Sequence, residues 1–336
     1  MQVLVTGGAG FIGSHTLVEL INNGYEVVVI DNLSNSSMES VNRVEKITNT
    51  KIPFVLGDVN DENILKEIFS KYDIGFVIHF AGLKAVGESV SMPLEYYSNN
   101  IGSTLTLLKV MREFNVKNIV FSSSATVYGD PEKLPLTEDC SLKTTNPYGS
   151  TKLMQEYILQ DLYVSDKDWN ITILRYFNPI GAHESGLIGE DPKGIPNNLM
   201  PYVAQVASGK LEKVRVFGND YPTIDGTGVR DYIHVVELAR GHVLSIKNTL
   251  GKGVHVYNLG TGNGYSVLQM IENFAKVSGK EVPYIITERR PGDIAECYAC
   301  PDKAEKEIGF KAEFGLYEMC KHQWNWQKNN PNGYNK

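Results

Sequence analysis

The sequence predicts an α/β protein: a doubly wound parallel sheet with helices on both faces, followed by a smaller mixed α/β unit. Three observations predict it. An apolar run, Val3-Leu4-Val5, enters a turn carrying Gly7, Gly10 and Gly13, and apolar residues at helical spacing follow from Ser14 to Ile21. A second apolar run, Val27-Val28-Val29-Ile30, ends in Asp31-Asn32, about 20 residues past the glycines. Strand and helix patterns then alternate to residue 178, the rhythm of βαβ units whose ligand lies beyond the strand carboxyl ends.

Each element has a local cause. The first strand ends at the glycines: without a Cβ the turn can be tight, the backbone can approach a pyrophosphate, and the helix amino end can face its charge. The carboxylate of Asp31 accepts hydrogen bonds from a ribose diol and repels a 2′-phosphate, which favours NAD over NADP. Later strands are expected at 53–57, 74–80, 117–123 and 170–177, with helices near 61–71, 92–114 and 147–166. The strand ends carry polar punctuation: Gly57-Asp58, Phe80-Ala81-Gly82, Ser122-Ser123-Ser124 and Arg175-Tyr176-Phe177-Asn178. From 179 to 231 glycine, proline and asparagine abound with little periodicity, as binding loops do. The expected organisation is a dinucleotide domain over 1–178 and a substrate domain over 179–336, with later segments free to return to the first. No repeat, low-complexity tract or flexible linker separates the two, so close packing is expected.

Composition narrows the function. With 42% hydrophobic residues in 336, the chain can build a full core, and a net charge of −7 leaves no electrostatic footprint for nucleic acid or an anionic membrane. An anionic ligand must then be held by local arginines and backbone amides. No apolar run approaches the ~20 residues of a membrane span, and no leader pattern precedes the strand that starts at Gln2. The cytoplasm is therefore the expected compartment, and Asn35-Ser36-Ser37 and Asn170-Ile171-Thr172 are chance sequons. Four cysteines make no disulfide scaffold, and Cys297-Tyr298-Ala299-Cys300 lacks the second pair a zinc site needs, so no metal is expected.

Tyr148 and Lys152 stand four apart in Tyr148-Gly-Ser-Thr-Lys152. On a helix they share a face, so the ammonium can sit beside the phenolic oxygen and favour its ionised form over the free value of roughly 10. That spacing alone commonly marks a solvated helix face. Downstream of Ser124, at the end of a buried strand, and in a chain that opens with a glycine turn, it reads as a proton-transfer site.

Six segments together make the chain resemble, over essentially its whole length, the extended short-chain dehydrogenase/reductases and, within them, the UDP-galactose 4-epimerase family. They are Gly7-x-x-Gly10-x-x-Gly13, His79 to Ser89, Ser122-Ser123-Ser124-Ala125-Thr126-Val127-Tyr128-Gly129, Tyr148-x-x-x-Lys152, Arg175 to Pro179, and Gly228 to Val235. The departure at Ser150-Thr151, where the family often has Lys-Ser, touches no chemistry. The resemblance implies a Rossmann fold and reversible 4-epimerisation of UDP-galactose and UDP-glucose through a 4-keto sugar, with NAD kept bound. That route answers a physical need, because no carbonyl neighbours carbon 4 to acidify its hydrogen.

The resemblance implies Tyr148 as base, Lys152 as the cation depressing its pKa, and Ser124 as a hydrogen-bond partner of the sugar oxygen, able to relay the proton. On the cofactor side it implies Gly7, Gly10, Phe11, Ile12, Gly13, Asp31, Asn32, Asp58, Val59, Phe80, Ala81, Gly82, Lys84, Asn99, Ser122 and Tyr176, with Tyr148 and Lys152. On the substrate side it implies Asn178, Asn198, Leu199, Phe217, Arg230, Tyr232, Arg290, Asp293 and Cys297, with Ser124 and Tyr148. Arg230 and Arg290 are the cations suited to a diphosphate, since a planar guanidinium pairs bidentately with phosphate oxygens. The helices at 92–114 and 147–166 are implied to pair across a two-fold axis in a homodimer.

Rivals separate at particular positions. Nucleotide-sugar dehydratases place an acid just after the active-site Ser/Thr, where this chain has Ala125 and Thr126. A dehydrogenase or reductase that releases its nicotinamide and a UDP-glucuronate 4-epimerase stay open, while a non-catalytic NAD sensor sits badly with Ser124, Tyr148 and Lys152 together. Relatives restricted to glucose and galactose carry tyrosine where this chain has Cys297. The smaller thiol opens space beside the hexose and predicts turnover of UDP-N-acetylglucosamine and UDP-N-acetylgalactosamine.

Overall fold

The computed structural model describes residues 1–248, 251–290 and 292–335. The chain runs β1 (Gln2–Thr6), α1 (Phe11–Asn22), β2 (Val27–Asp31), α2 (Met38–Thr48), β3 (Phe54–Leu56), α3 (Glu62–Lys71), β4 (Ile74–His79), α4 (Val86–Ser91), α5 (Pro93–Glu113), β5 (Asn118–Ser124), α6 (Pro147–Ser165) and β6 (Asn170–Tyr176). It continues with β7 (Asn178–Ile180), α7 (Leu199–Ala207), β8 (Val214–Phe217), β9 (Val229–His234), α8 (Val235–Asn248), β10 (Gly253–Leu259), β11 (Gly264–Ser266), α9 (Val267–Ser278), β12 (Tyr284–Thr287), β13 (Glu296–Cys297), α10 (Asp302–Ile308) and α11 (Leu316–Asn329).

A seven-stranded sheet in the order β10-β6-β5-β4-β1-β2-β3 forms the centre, and every neighbouring pair in it is parallel. Strand β2 is buried along its whole length, which is why it reads as the unbroken run Val-Val-Val-Ile-Asp. Helix α1 packs on α8 over one face, and α5 on α6 over the other. Because β1 lies between β2 and β4, the connections diverge there and leave a crevice beyond the strand carboxyl ends. Capping fixes where several helices begin: Ser37 starts α2, Asp61 starts α3, and Asn146 accepts the Gly149 N–H ahead of Pro147 in α6. Beside the large sheet, β7, β11 and β13 pair with β9, β8 pairs with β12, and α7, α9 and α11 close a second core around Met200, Val203, Phe274 and Met319.

The structure departs from the sequence expectation in two places. Helix α2, between the second and third strands, was outside the expected set. The stretch 179–231 is less irregular than its composition suggests, since it holds β7, α7, β8 and the start of β9. Strand β10, well past residue 178, is the edge strand of the large sheet beside β6, a return of a later segment that the sequence expectation left open.

Candidate active site

Three elements bring the proton-transfer residues together. Ser124 is the last residue of β5, and its hydroxyl accepts from the Thr126 N–H at 3.2 Å and from the Thr126 hydroxyl at 3.0 Å. Tyr148 sits in the first turn of α6 with its N–H donated to Ser89 Oγ at 3.1 Å, and its phenol stands beside Ser124. Lys152, one turn on, is buried, with Nζ donating to the Ser122 carbonyl at 2.7 Å. That Nζ lies 5.0 Å from the Phe121 ring centroid and 6.0 Å from that of Tyr148.

This geometry corrects one expectation. Lys152 spends its ammonium on Ser122 instead of the phenolic oxygen. Burial pushes the Tyr148 phenol up to about 12, and the Ser124 hydrogen bond opposes that rise. Burial also brings Lys152 down to about 8, with Glu156 holding it higher. The chain by itself thus keeps Tyr148 protonated, and positive charge delivered with a cofactor would be needed to bring the phenol toward neutrality. Behind Lys152, Glu156 pairs with Arg175 through two contacts of 3.0 and 2.7 Å and accepts from Ser123 Oγ at 2.5 Å. Sequence reading missed this support, although Glu156 continues the Tyr148-Lys152 face by another helical turn.

The dinucleotide side fits its expected occupant. Gly7 has φ +69°, and a Cβ there would stand 2.9 Å from the Ala81 nitrogen; a Cβ on Gly13 would meet the Gly7 carbonyl oxygen at 2.4 Å. The glycines therefore hold the turn, α1 and the end of β4 at close approach. Gly10 gives α1 no side-chain cap, which leaves the first-turn amides around Phe11 and Ile12 facing the crevice for an anion. Asp31, at the end of β2, accepts from the Ala9 and Leu33 amides and from Ser36, which orients its carboxylate at the crevice. Asn32 donates to Asp58 at 2.9 Å, and Val59 is core. Phe80, Ala81 and Gly82 follow β4, and the Asn99 amide donates to Asn100, whose Oδ1 also receives the Leu83 N–H. Tyr176 ends β6, its hydroxyl bonded to the buried His242. Ser122 lends its carbonyl to Lys152.

Most of the residues that the resemblance implies for the substrate lie on or near β9. Arg230 Nη2 donates to Asp293 at 2.5 Å, Arg290 lies 3.7 Å from the same carboxylate, and its guanidinium covers the Phe217 ring at 4.4 Å. These four residues form one charged and aromatic cluster. Asn178 pairs with Tyr232 between β7 and β9, and the Tyr232 side chain is buried in the second core. Asn198 and Leu199 start α7, and the Asn198 amide donates to Glu190 at 2.8 Å instead of capping the helix. The same Glu190 oxygen takes Lys84 Nζ at 3.1 Å, joining a cofactor-side residue to a substrate-side one. Nothing in the loop sequence around Glu190 signals that link. Cys297 is buried against Val127, Tyr128 and Phe177, and burial pushes its thiol up to about 11. Among the described residues all four cysteines are free, no group of three or more potential ligands could hold a metal ion, and no helix is long and apolar enough to cross a membrane.

Comparison with known proteins agrees with this geometry. The family described as GDP-mannose 4,6 dehydratase matches residues 4–323. The UDP-glucose 4-epimerase of Bacillus subtilis is 62% identical over 335 residues, covering 99% of both chains, and that of Dictyostelium discoideum is 59% identical over 99% of this chain and 97% of its own. A crystal structure of UDP-glucose 4-epimerase from Bifidobacterium longum, in complex with NAD+ and UDP, superimposes with a TM-score of 0.97 at 60% identity, covering 99% of this chain and 100% of that one. The UDP-Glc/GlcNAc 4-epimerase of Campylobacter jejuni superimposes with a TM-score of 0.85 at 33% identity over 98% and 99% of the two chains.

Proposed function

Since the chain belongs to the UDP-glucose 4-epimerase family within the short-chain dehydrogenase/reductases, we propose that Ser124, Tyr148 and Lys152 carry its reaction in the crevice beyond β5. The protein is an NAD-dependent isomerase that interconverts UDP-glucose and UDP-galactose. The carrying observation is the convergence of these three side chains, Ser124 from the end of β5 and Tyr148 and Lys152 from the first turns of α6, with Lys152 tied to the same strand through the Ser122 carbonyl, beside a glycine turn that admits a pyrophosphate. Bound NAD supplies the acceptor and donor for the hydrogen on carbon 4. Tyr148 takes the proton of the 4-hydroxyl and later returns it, at a phenol that Ser124 steadies by hydrogen bonding. Lys152, fixed by Ser122 and buried, keeps a positive field under that phenol.

Arg230 and Arg290 are assigned to the diphosphate, Phe217 to the base and Asp293 to the ribose, with Asn178, Asn198 and Leu199 along the path between. Asp31 is assigned to the adenosine ribose and the turn amides to the NAD pyrophosphate. The dehydratase in the description of the matching family does not carry over to the chemistry, because Ala125 and Thr126 offer no acid for expelling a hydroxyl. Cys297 is assigned to the hexose wall, where its small volume supports turnover of the N-acetylated UDP-sugars; one relative is named for both glucose and N-acetylglucosamine substrates. The exposed apolar residues Leu94, Leu105, Met154, Tyr157 and Val164 on α5 and α6 support a two-fold dimer through those helices, and sedimentation as a monomer at micromolar concentration would remove it.

The test of the catalytic reading is Tyr148→Phe assayed with UDP-galactose and no added cofactor. Turnover is expected to fall by about 10²–10⁴ or more with UDP affinity retained. A variant that keeps near-normal turnover places the base elsewhere.

A further inference from the structure

Ser124 is held from behind by a single residue. The Thr126 N–H and the Thr126 hydroxyl both donate to Ser124 Oγ, at 3.2 and 3.0 Å. A hydroxyl has two acceptor positions and one proton to give. With both acceptor positions filled by Thr126, the serine has only its O–H left to give, and the phenol of Tyr148 stands beside it. We propose that Thr126 is a positioning residue for the reaction: it makes Ser124 a one-way donor toward the oxygen that Tyr148 and the sugar hydroxyl share.

A simpler role for this contact is to cap the short 3₁₀ turn at Ala125–Val127, which the Ser124 side chain begins. Capping needs only the Thr126 N–H, which any residue but proline would supply at that position. The hydroxyl contact is additional, and the packing fixes it. A Cβ on Gly149, the residue after Tyr148, would stand 3.0 Å from the Thr126 carbonyl oxygen and 3.4 Å from its Cβ and Oγ1. The start of α6 is thus fitted to the Thr126 side chain, so the residue that aims Ser124 also abuts the turn that presents Tyr148.

The consequence is a defined proton balance. The sugar O–H bond breaks and a Tyr148 O–H bond forms, while Ser124 keeps its own proton throughout. Having no free acceptor position, Ser124 steadies the phenolate but does not pass the proton along, contrary to the relay role the resemblance allowed. The titratable neighbours of Tyr148 are Lys152 on α6, Tyr176 on β6 and Tyr96 on α5, and substitution of Thr126 alters none of them directly.

This inference rests on Tyr148 as the base, so its experiment begins from an inactive Tyr148→Phe control. Thr126→Val and Thr126→Ser holoenzymes are then compared across pH with UDP-galactose. In Thr126→Val the serine recovers an acceptor position and can turn its proton away. The expected result is a kcat about tenfold lower, an acidic limb of the kcat profile moved to higher pH, and an unchanged KM. Thr126→Ser is expected to restore both rate and limb, and Thr126→Ala carries the same expectation as the valine variant should that one fail to fold. A wild-type rate and limb in the valine or alanine variant, or a serine variant as impaired as valine, overturns the role of Thr126 and leaves Tyr148 as base. Turnover by Tyr148→Phe itself overturns the catalytic reading instead.

Discussion

Neutralising Glu156 is expected to be one of the most destabilising single changes available in α6. Its carboxylate is fully buried, and Arg175 facing it is 3% exposed. The guanidinium donates twice to Glu156, and also to the Tyr128 hydroxyl at 2.9 Å and the Glu138 carbonyl at 3.1 Å, so it cannot withdraw to solvent. Glu156→Gln leaves that cation without a counter-charge, and breaking a buried pair in this way costs about 3–5 kcal/mol. With an unfolding entropy of about 2.1 cal/mol/K per residue over 336 residues, the loss corresponds to a melting point lowered by about 4–7 °C. Calorimetry of the holoenzyme measures it. Removing both charges, as Glu156→Leu with Arg175→Met, is expected to recover most of the loss, since a well-packed apolar pair is often no less stable. The activity consequence has a sign as well: Glu156 holds the Lys152 pKa up, so its loss lowers that pKa further below about 8 and weakens the positive field under Tyr148. A Glu156→Gln protein melting within about 1 °C of wild type would refute the reasoning.

Acid should destabilise the fold early. His15, His79 and His242 are buried and neutral, with burial lowering their values to about 3, 3 and 4. Groups depressed in the folded state contribute stability that is complete above their unfolded value of about 6.5 and is lost as pH falls below it, by about 1.4 kcal/mol each between about pH 7.5 and 5.5. Denaturant midpoints over that range should fall accordingly, and a flat profile would mean that the three rings take up protons in the native state as readily as in the unfolded chain. For Cys297→Tyr, the added ring must fit against Val127, Tyr128 and Phe177, and overpacking costs roughly 1–3 kcal/mol. The variant is expected to lose turnover of the N-acetylated substrates while sparing UDP-galactose, and a wild-type enzyme inert toward both N-acetylated sugars would dispose of the assignment.

What the sequence disclosed depended on how local the physics is. The glycine turn, Asp31 and the Tyr148/Lys152 spacing were legible because each rests on a single strand–turn–helix or helix face, and the structure puts the glycines between β1 and α1, Asp31 at the end of β2, and Tyr148 and Lys152 one turn apart on α6. Helix α2 was not legible: only Ser40, Val41 and Val44 of its residues are buried, too thin a stripe to stand out in a polar segment. Helix α7 failed for the opposite reason, since nearly all of it is buried and Pro201 lies in its first turn, so no amphipathic period appears. The direction of Lys152 was beyond reach because it is set by the Ser122 carbonyl, on a different element, and not by the helix that carries the lysine. Glu190 is the same case at longer range. Its oxygen joins Lys84, which follows β4, to Asn198 at the head of α7, so the two ligand-facing sides of the crevice share one carboxylate through contacts distant in sequence. Spacing can therefore nominate the groups proposed for the chemistry, whereas the Ser122 carbonyl that takes Lys152 and the Glu190 carboxylate that takes Lys84 and Asn198 come from parts of the chain that only folding brings near.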